Sequence, residues 1–261
     1  MESQQATDAD WAALQWMVEM GVDEAILDTP QDRYVVAPAS EPQPAAAVAA
    51  PTSATPQPPK ADLVTQAKNL AKAAADLPGL RAAIEAFDCP MRLGARQLVF
   101  ADGQPQARVM VIGEAPGREE DAAGRPFVGP AGQFLDRMFH AIGLSRDADQ
   151  GQNALYITNV IPWRMPQNRD PNADDLALFL PFLSRHVELV QPDVVVLMGN
   201  AACQAALGQA GITRLRGQWK TAFDRPCLPM LHPAYLLRKA PAKAEAWADL
   251  LALKSHLSDT P

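Results

Sequence analysis

The sequence predicts an α/β fold, a mostly parallel sheet covered by helices on both faces. Short apolar runs suited to buried strands alternate with longer stretches whose apolar residues recur at helical spacing. A second observation agrees. Four residues equipped for chemistry, Glu114, Asn159, Asn200 and His232, each fall just past an apolar run, at the strand ends where ligands of such sheets bind.

In chain order, residues 8–27 read as a short amphipathic helix carrying Trp11, Leu14, Met17, Val18, Met20 and Ile26. Residues 37–60 hold seven prolines and many alanines with almost no large apolar side chain, the composition of a semi-extended linker. This divides the chain into an acidic helical segment over 1–36, the linker over 37–60, and a folded body over 61–261. Helices are expected over 61–75 and 78–87. Extended sequence at Leu98–Phe100 then leads to a strand over Val109–Ile112. A long loop shaped by Gly and Pro follows, and a helix starts near Pro130 with Phe134, Leu135, Met138, Phe139 and Ile142 in register. Because more than ten residues separate Gly113 from that helix, no helix N-terminus is expected at the turn to hold a phosphate. Strands over 154–158, 193–198 and 228–231 alternate with helices over 173–190, 201–207 and 243–257.

The 261 residues suit one sizeable domain plus appendages, and 48% hydrophobic residues are enough to bury a core. No apolar run is long enough to span a membrane, and the first residues lack the basic-then-apolar order of a secretion signal. Cys89, Cys203 and Cys227 are scattered and odd in number, so a reducing cytoplasm is expected rather than a disulfide framework. A monomer with no membrane partner is expected. The apolar face of the N-terminal helix needs a partner, either the body itself or another protein.

Net charge is -7, which at face value argues against nucleic acid. Residues 1–60 carry the whole excess, nine Asp/Glu against two Lys/Arg, and the remaining 201 residues hold 21 of each sign. Within this neutral body Arg214, Arg216, Lys220, Arg225, Arg238, Lys239 and Lys243 face only Asp224. Such a stretch serves either as a solvated face or as a local phosphate-binding surface.

The candidate chemistry lies in Glu114 and Glu120 on one loop, Phe127 beyond them, Asn159, and His232. An Asn amide both donates and accepts, so it pairs with a nucleobase edge. A neighbouring ring stacks on that base. A His donates to an oxygen that gains negative charge as a bond breaks. A carboxylate positions water or balances a cationic sugar in glycosidic cleavage. Together these suit cutting a base from its sugar after the nucleotide has left the helix. Taken singly, each has a plainer reading. Glu119, Glu120 and Asp121 form a solvated acidic turn, Phe127 is core, Asn159 caps a turn, and His232 before Pro233 is a turn residue.

GEAPGREEDAAGRPFVGPAGQFLD, followed by YITNVIPWRMPQNRDP and LHPAYLLR, resembles the family 4 uracil-DNA glycosylases over about residues 80–257. The resemblance implies a three-layer αβα fold with a central parallel sheet of four strands. It also implies excision of uracil from DNA as the first step of base-excision repair. By motif, it implies that Glu114, with the backbone at Gly113 and Ala115, lies at the scissile bond and positions water. Glu120 would support that loop or the water. Phe127 would stack on the flipped uracil, and Asn159 would read its edge. His232 would hydrogen-bond uracil O2. Pro233, Ala234, Tyr235 and Arg238 would contact DNA from the minor groove. Uracil-containing DNA is therefore the implied partner, and a repair protein is one candidate for the N-terminal helix. The family's iron–sulfur cluster is held by four cysteines, whose positions here read Ala86, Cys89, Trp163 and Phe179. One thiolate cannot hold such a cluster, so no cofactor is expected. Relatives that become covalently trapped on DNA carry a basic insert with a His in the loop after the Asn motif. The loop here has neither, which implies ordinary turnover. The rival reading is a DNA-binding or damage-sensing module that has lost turnover.

Overall fold

The computed structural model describes residues 60–149 and 151–259. The expected 1–36 segment, its helix and the linker up to residue 59 lie outside the described residues. Lys60 opens the first helix instead of closing the linker. Helices α1 (Lys60–Ala73) and α2 (Leu77–Ala86) come first. Asp76 caps α2, its Oδ1 accepting from the Gly79 N–H at 2.7 Å.

Six strands form one sheet: β1 (Asp102–Gly103), β2 (Val109–Gly113), β3 (Leu155–Asn159), β4 (Val194–Met198), β5 (Lys220–Ala222) and β6 (Arg225–Met230), in the order β1-β3-β2-β4-β6-β5. The inner four, β3, β2, β4 and β6, run parallel. The short β1 and β5 add antiparallel at the two edges. The expectation of four strands is therefore corrected to six. The two additions are two and three residues long, too short to show a periodicity in sequence. Leu98–Phe100, expected to be extended, carries no ladder. Val99 instead donates to the Pro162 carbonyl at 3.0 Å.

Strands β2, β3 and β4 are buried along their whole length, as strands covered on both faces must be. Side chains of a strand point alternately to opposite faces, so β2 divides between two cores. Met110 and Ile112 join Leu80, Phe87, Phe179 and Leu183 on one side. Val109 and Val111 join Leu135, Phe139, Leu236 and Leu250 on the other. The first face is covered by α1, α2, α5 (Ala173–Val190) and α6 (Gly199–Leu207). The second is covered by α4 (Pro130–His140), α8 (Pro233–Arg238) and α9 (Lys243–Asp259). Each large apolar side chain buried this way contributes about 1.5–3 kcal/mol.

Two further helices are single turns or little more, α3 (Arg118–Ala123) and α7 (Ile212–Leu215). Helix α3 corrects the reading of 113–129 as unbroken loop. Its first turn holds Glu119, Glu120 and Asp121, and carboxylates at a helix N-terminus are favoured by the backbone dipole. The Glu120 carboxylate accepts from the Gly117 N–H at 3.1 Å, so the acidic run itself satisfies this helix start. Asp121 is buried and accepts from the Arg96 N–H at 2.8 Å, which no solvated turn would do.

The first core holds an aromatic group. Phe87 meets Phe179 edge-on at 6.2 Å and Phe182 at 5.3 Å. Nearby, Tyr156 Oη and His186 Nε2 share a buried hydrogen bond of 2.8 Å that ties β3 to α5. Burial pushes His186 down to about 3, so the ring stays neutral. Phe179 has no solvent exposure. Phe179→Ala should lower the unfolding free energy by about 3–5 kcal/mol. Urea denaturation followed by circular dichroism measures this, and a loss below 1 kcal/mol would contradict the packing described.

Candidate active site

Parallel pairing sets the site. In register, Gly113 at the end of β2 lies opposite Asn159 at the end of β3. The ladder then runs on beyond both strands, Val160 N–H donating to the Gly113 carbonyl and Ile161 N–H to that of Glu114, each at 3.0 Å. Glu114 is thus held by backbone bonds although it lies outside the strand. A pocket of about 690 Å³ opens at this rim. Glu114, Ala115, His232, Ala234, Tyr235 and Arg238 line it, and Pro233 is buried.

Gly113, Phe127 and Asn159 pack together beside this pocket. A side chain on Gly113 would fall against Asn159 Oδ1 and within 2.6 Å of the Phe127 ring, so only glycine lets the three approach so closely. The Phe127 and His232 rings stack at 5.6 Å between centroids, 30° apart. Asn159 is 5% exposed, and its Oδ1 has no hydrogen-bond partner. A buried acceptor left unpaired costs about 1–3 kcal/mol, and no protein donor among the described residues offsets that here.

His232 caps α8, with Nδ1 accepting from the Ala234 N–H at 3.2 Å. That bond uses the Nδ1 lone pair, which leaves the ring proton on Nε2. Burial pushes the imidazole down to about 4, Arg238 acts the same way, and Glu120 opposes them. At neutral pH His232 is therefore an uncharged N–H donor. Burial, followed by the charge of Asp170, raises Glu114 above the ordinary carboxylate range. Asp170 lines the same pocket.

Glu120 lies away from this pocket wall. One oxygen accepts from the N–H groups of Val128 (3.0 Å) and Gly129 (2.9 Å), the other from Gly117. Its place is in the loop's framework. Asn200 is likewise structural on one side, its Oδ1 accepting from Gly211 and Ile212. The basic stretch is divided. Arg216 turns inward to the buried Asp249, whereas Arg238 faces the pocket and Lys239 lies over the Tyr235 ring at 5.8 Å. Asp170, inside the NRDP stretch, and Arg146, outside every motif, were not singled out by the sequence. Each sits in a connecting loop beside a residue of opposite charge, Arg169 or Asp147, and nothing local says what it meets.

The four positions that correspond to cluster ligands do not fit a metal cluster. Ala86 is exposed at the end of α2, Phe179 is locked in the aromatic group, and Trp163 is buried. Cys89 is the one thiol among them, and burial raises it away from the thiolate form. A four-thiolate cluster has no donor set here.

Residues 100–251 match the sequence profile of the Uracil DNA glycosylase superfamily. Among characterised proteins, the chain is 36% identical over 155 residues to a type-4 uracil-DNA glycosylase of Thermotoga maritima, covering 58% of this chain and 77% of that one. It is 32% identical over 186 residues to a type-4 uracil-DNA glycosylase of Pyrobaculum aerophilum, covering 67% and 91%. It is 37% identical over 172 residues to one of Archaeoglobus fulgidus, covering 62% and 82%.

The state of His232 can be tested directly. Its ring protons should titrate near pH 4, assigned by comparison with His232→Gln. The unfolded chain binds that proton at about 6.5. The resulting stability is therefore present above pH 6.5 and lost as pH falls toward 4. A midpoint near 6.5 in the folded protein would contradict the buried neutral ring.

Proposed function

The chain belongs to the uracil-DNA glycosylase superfamily, and on that premise we propose that it hydrolyses the N-glycosidic bond of deoxyuridine in DNA, releasing uracil and leaving an abasic site. The observation that carries this reading is the unpaired, buried Asn159 Oδ1 beside the Phe127 ring. Uracil offers an N3–H donor with an O4 acceptor beside it. A fixed amide accepts from the first and donates to the second. Cytosine presents an acceptor at N3, so it would leave the Asn159 oxygen unsatisfied. Stacking on Phe127 holds the extruded base in plane.

In this reading His232 donates from Nε2 to uracil O2 as negative charge builds on the departing base. A neutral donor suits a developing anion without first requiring a proton from solvent. Glu114 positions the attacking water on the sugar, and as the glycosidic bond breaks its carboxylate balances the oxocarbenium-like charge. Gly113 and Ala115 bring backbone to the same place. Glu120 holds the loop and does not touch the water. Pro233, Ala234, Tyr235 and Arg238 meet DNA beside the pocket, and Arg238 supplies a phosphate contact.

We further propose that this chemistry proceeds without the family's iron–sulfur cluster. Support comes from the single thiol among the four ligand positions and from the aromatic packing around Phe179. Among the described residues no helix is long and apolar enough to cross a membrane. Three unpaired, buried cysteines suit a reducing cytoplasm, with the protein on the nucleoid when it is bound to DNA.

A uracil-containing oligonucleotide, followed by alkaline cleavage of abasic sites, tests the activity. Wild type should give product with or without a metal chelator, and its visible spectrum should be flat. Asn159→Ala, Phe127→Ala and His232→Gln should each lower the single-turnover rate about 100-fold or more. DNA binding that falls with salt but yields no product would replace this reading with that of a binding module. The pH profile gives a second check. Protonating Glu114 should abolish turnover, so the rate should fall on the acid side with a midpoint above the ordinary carboxylate range. Asp170→Asn removes a neighbouring negative charge and should move that limb to lower pH. An unmoved limb would remove Asp170 from the account.

A further inference from the structure

Phe127 stands on a turn, Pro126–Gly129, that belongs to no helix or strand. Its own backbone is left-handed, with φ 53°. For a side chain with a Cβ, that conformation costs about 1–2 kcal/mol, so something outside the turn must hold it there. Glu120 holds the turn's N–H groups, as described above. The carbonyl side is held by Arg146. Its Nη1 donates to the Pro126 oxygen at 2.9 Å and its Nη2 to the Phe127 oxygen at 3.0 Å.

The Arg146 side chain is 5% exposed. A buried cation is costly unless paired, and two carboxylates pair it. Nη1 donates to Asp102 Oδ2 at 2.9 Å, and Nε to Asp136 Oδ1 at 2.8 Å. Asp102 is itself tied to Arg125, the residue just before the turn. One planar guanidinium thus joins the edge strand β1, helix α4 and the two carbonyls of the turn. Helix α4 presses on the same spot, because any side chain at Gly132 would collide with the Phe127 carbonyl. Arg146 lines no part of the pocket at the rim.

We propose that Arg146 is a positioning residue for base recognition, fixing the Phe127 ring through that residue's own carbonyl. The role rests on the proposed stacking of uracil on Phe127. Lys cannot replace it. An ammonium can neutralise Asp102 and Asp136, but it lacks the planar fork that reaches two adjacent carbonyls.

The experiment compares full-length wild type, Arg146→Lys, Phe127→Ala and the double variant. Three quantities are read: single-turnover uracil release, binding to a duplex carrying a stable abasic analogue, and thermal unfolding. Arg146→Lys should slow release about 10- to 100-fold, as expected when a reacting group is displaced by about 1 Å. Its binding to abasic DNA should stay within twofold, because that ligand has no base to stack. In the Phe127→Ala background the same substitution should cost nothing further. An undiminished rate in Arg146→Lys would overturn the proposal. So would an equal loss in both backgrounds, the result of a merely structural role. Should Arg146→Lys fail to fold, Asp136→Ala replaces it, with a smaller loss expected and the same dependence on Phe127. A wild type that releases no uracil would sink the functional reading and this role with it. An active wild type matched by Arg146→Lys sinks only this role.

Discussion

The parallel pairing of β2 with β3 is the constraint on which the rest depends. It sets Gly113 beside Asn159 and, by running two hydrogen bonds past the strand ends, fixes the backbone of Glu114 as well. A ladder that stopped at the strand ends would leave the carboxylate on a mobile loop. As built, Glu114 and Asn159 sit on backbone that continues the hydrogen bonding of the sheet, beside a pocket open to solvent.

Around this frame, ionisable groups divide between the loop framework and the pocket wall. Glu120 and Arg146 are both bonded to backbone. Near the ends of β2, β3 and β6 stand an amide, an aromatic ring and an uncharged imidazole, with Glu114, Asp170 and Arg238 on the pocket wall. Desolvation disfavours the ionised forms of His232 and Glu114, pushing one down and the other up. Neutral donors and acceptors can tell uracil from cytosine by hydrogen-bond direction, whereas a lone charge binds mainly by Coulomb attraction and discriminates less.

The lobe formed by α2, the 160–172 loop and α5 is held together by side-chain packing. A loop rich in proline and polar residues has little to bury, and a metal cluster is one way to fasten it. Here Trp163, Met165 and Phe179 are buried with Phe87, Cys89 and Met91 in one continuous core. Aromatic packing and area burial can supply several kcal/mol without any metal.

Much of this was legible in the sequence. The helix over 173–190 has the bounds that its periodicity announces, and the four parallel strands are written as short apolar runs. The motif residues Glu114, Asn159 and His232 could be placed at strand ends because strand ends follow from hydrophobic pattern alone. What lay beyond reach was whatever depends on a partner distant in the chain. The edge strands are defined only by the neighbour they pair with. The fate of Glu120 depends on N–H groups eight and nine residues away. Arg146 looks like any loop arginine until the fold brings Asp102, Asp136 and two carbonyls to it. Sequence by itself determined the four inner strands, the longer helices and which residue types could do chemistry, because those properties are local. Tertiary structure alone decided which groups are buried, which are paired, and which buried acceptor no protein donor meets. Burial and pairing are set by what surrounds a group in space, and the order of residues along the chain does not contain it.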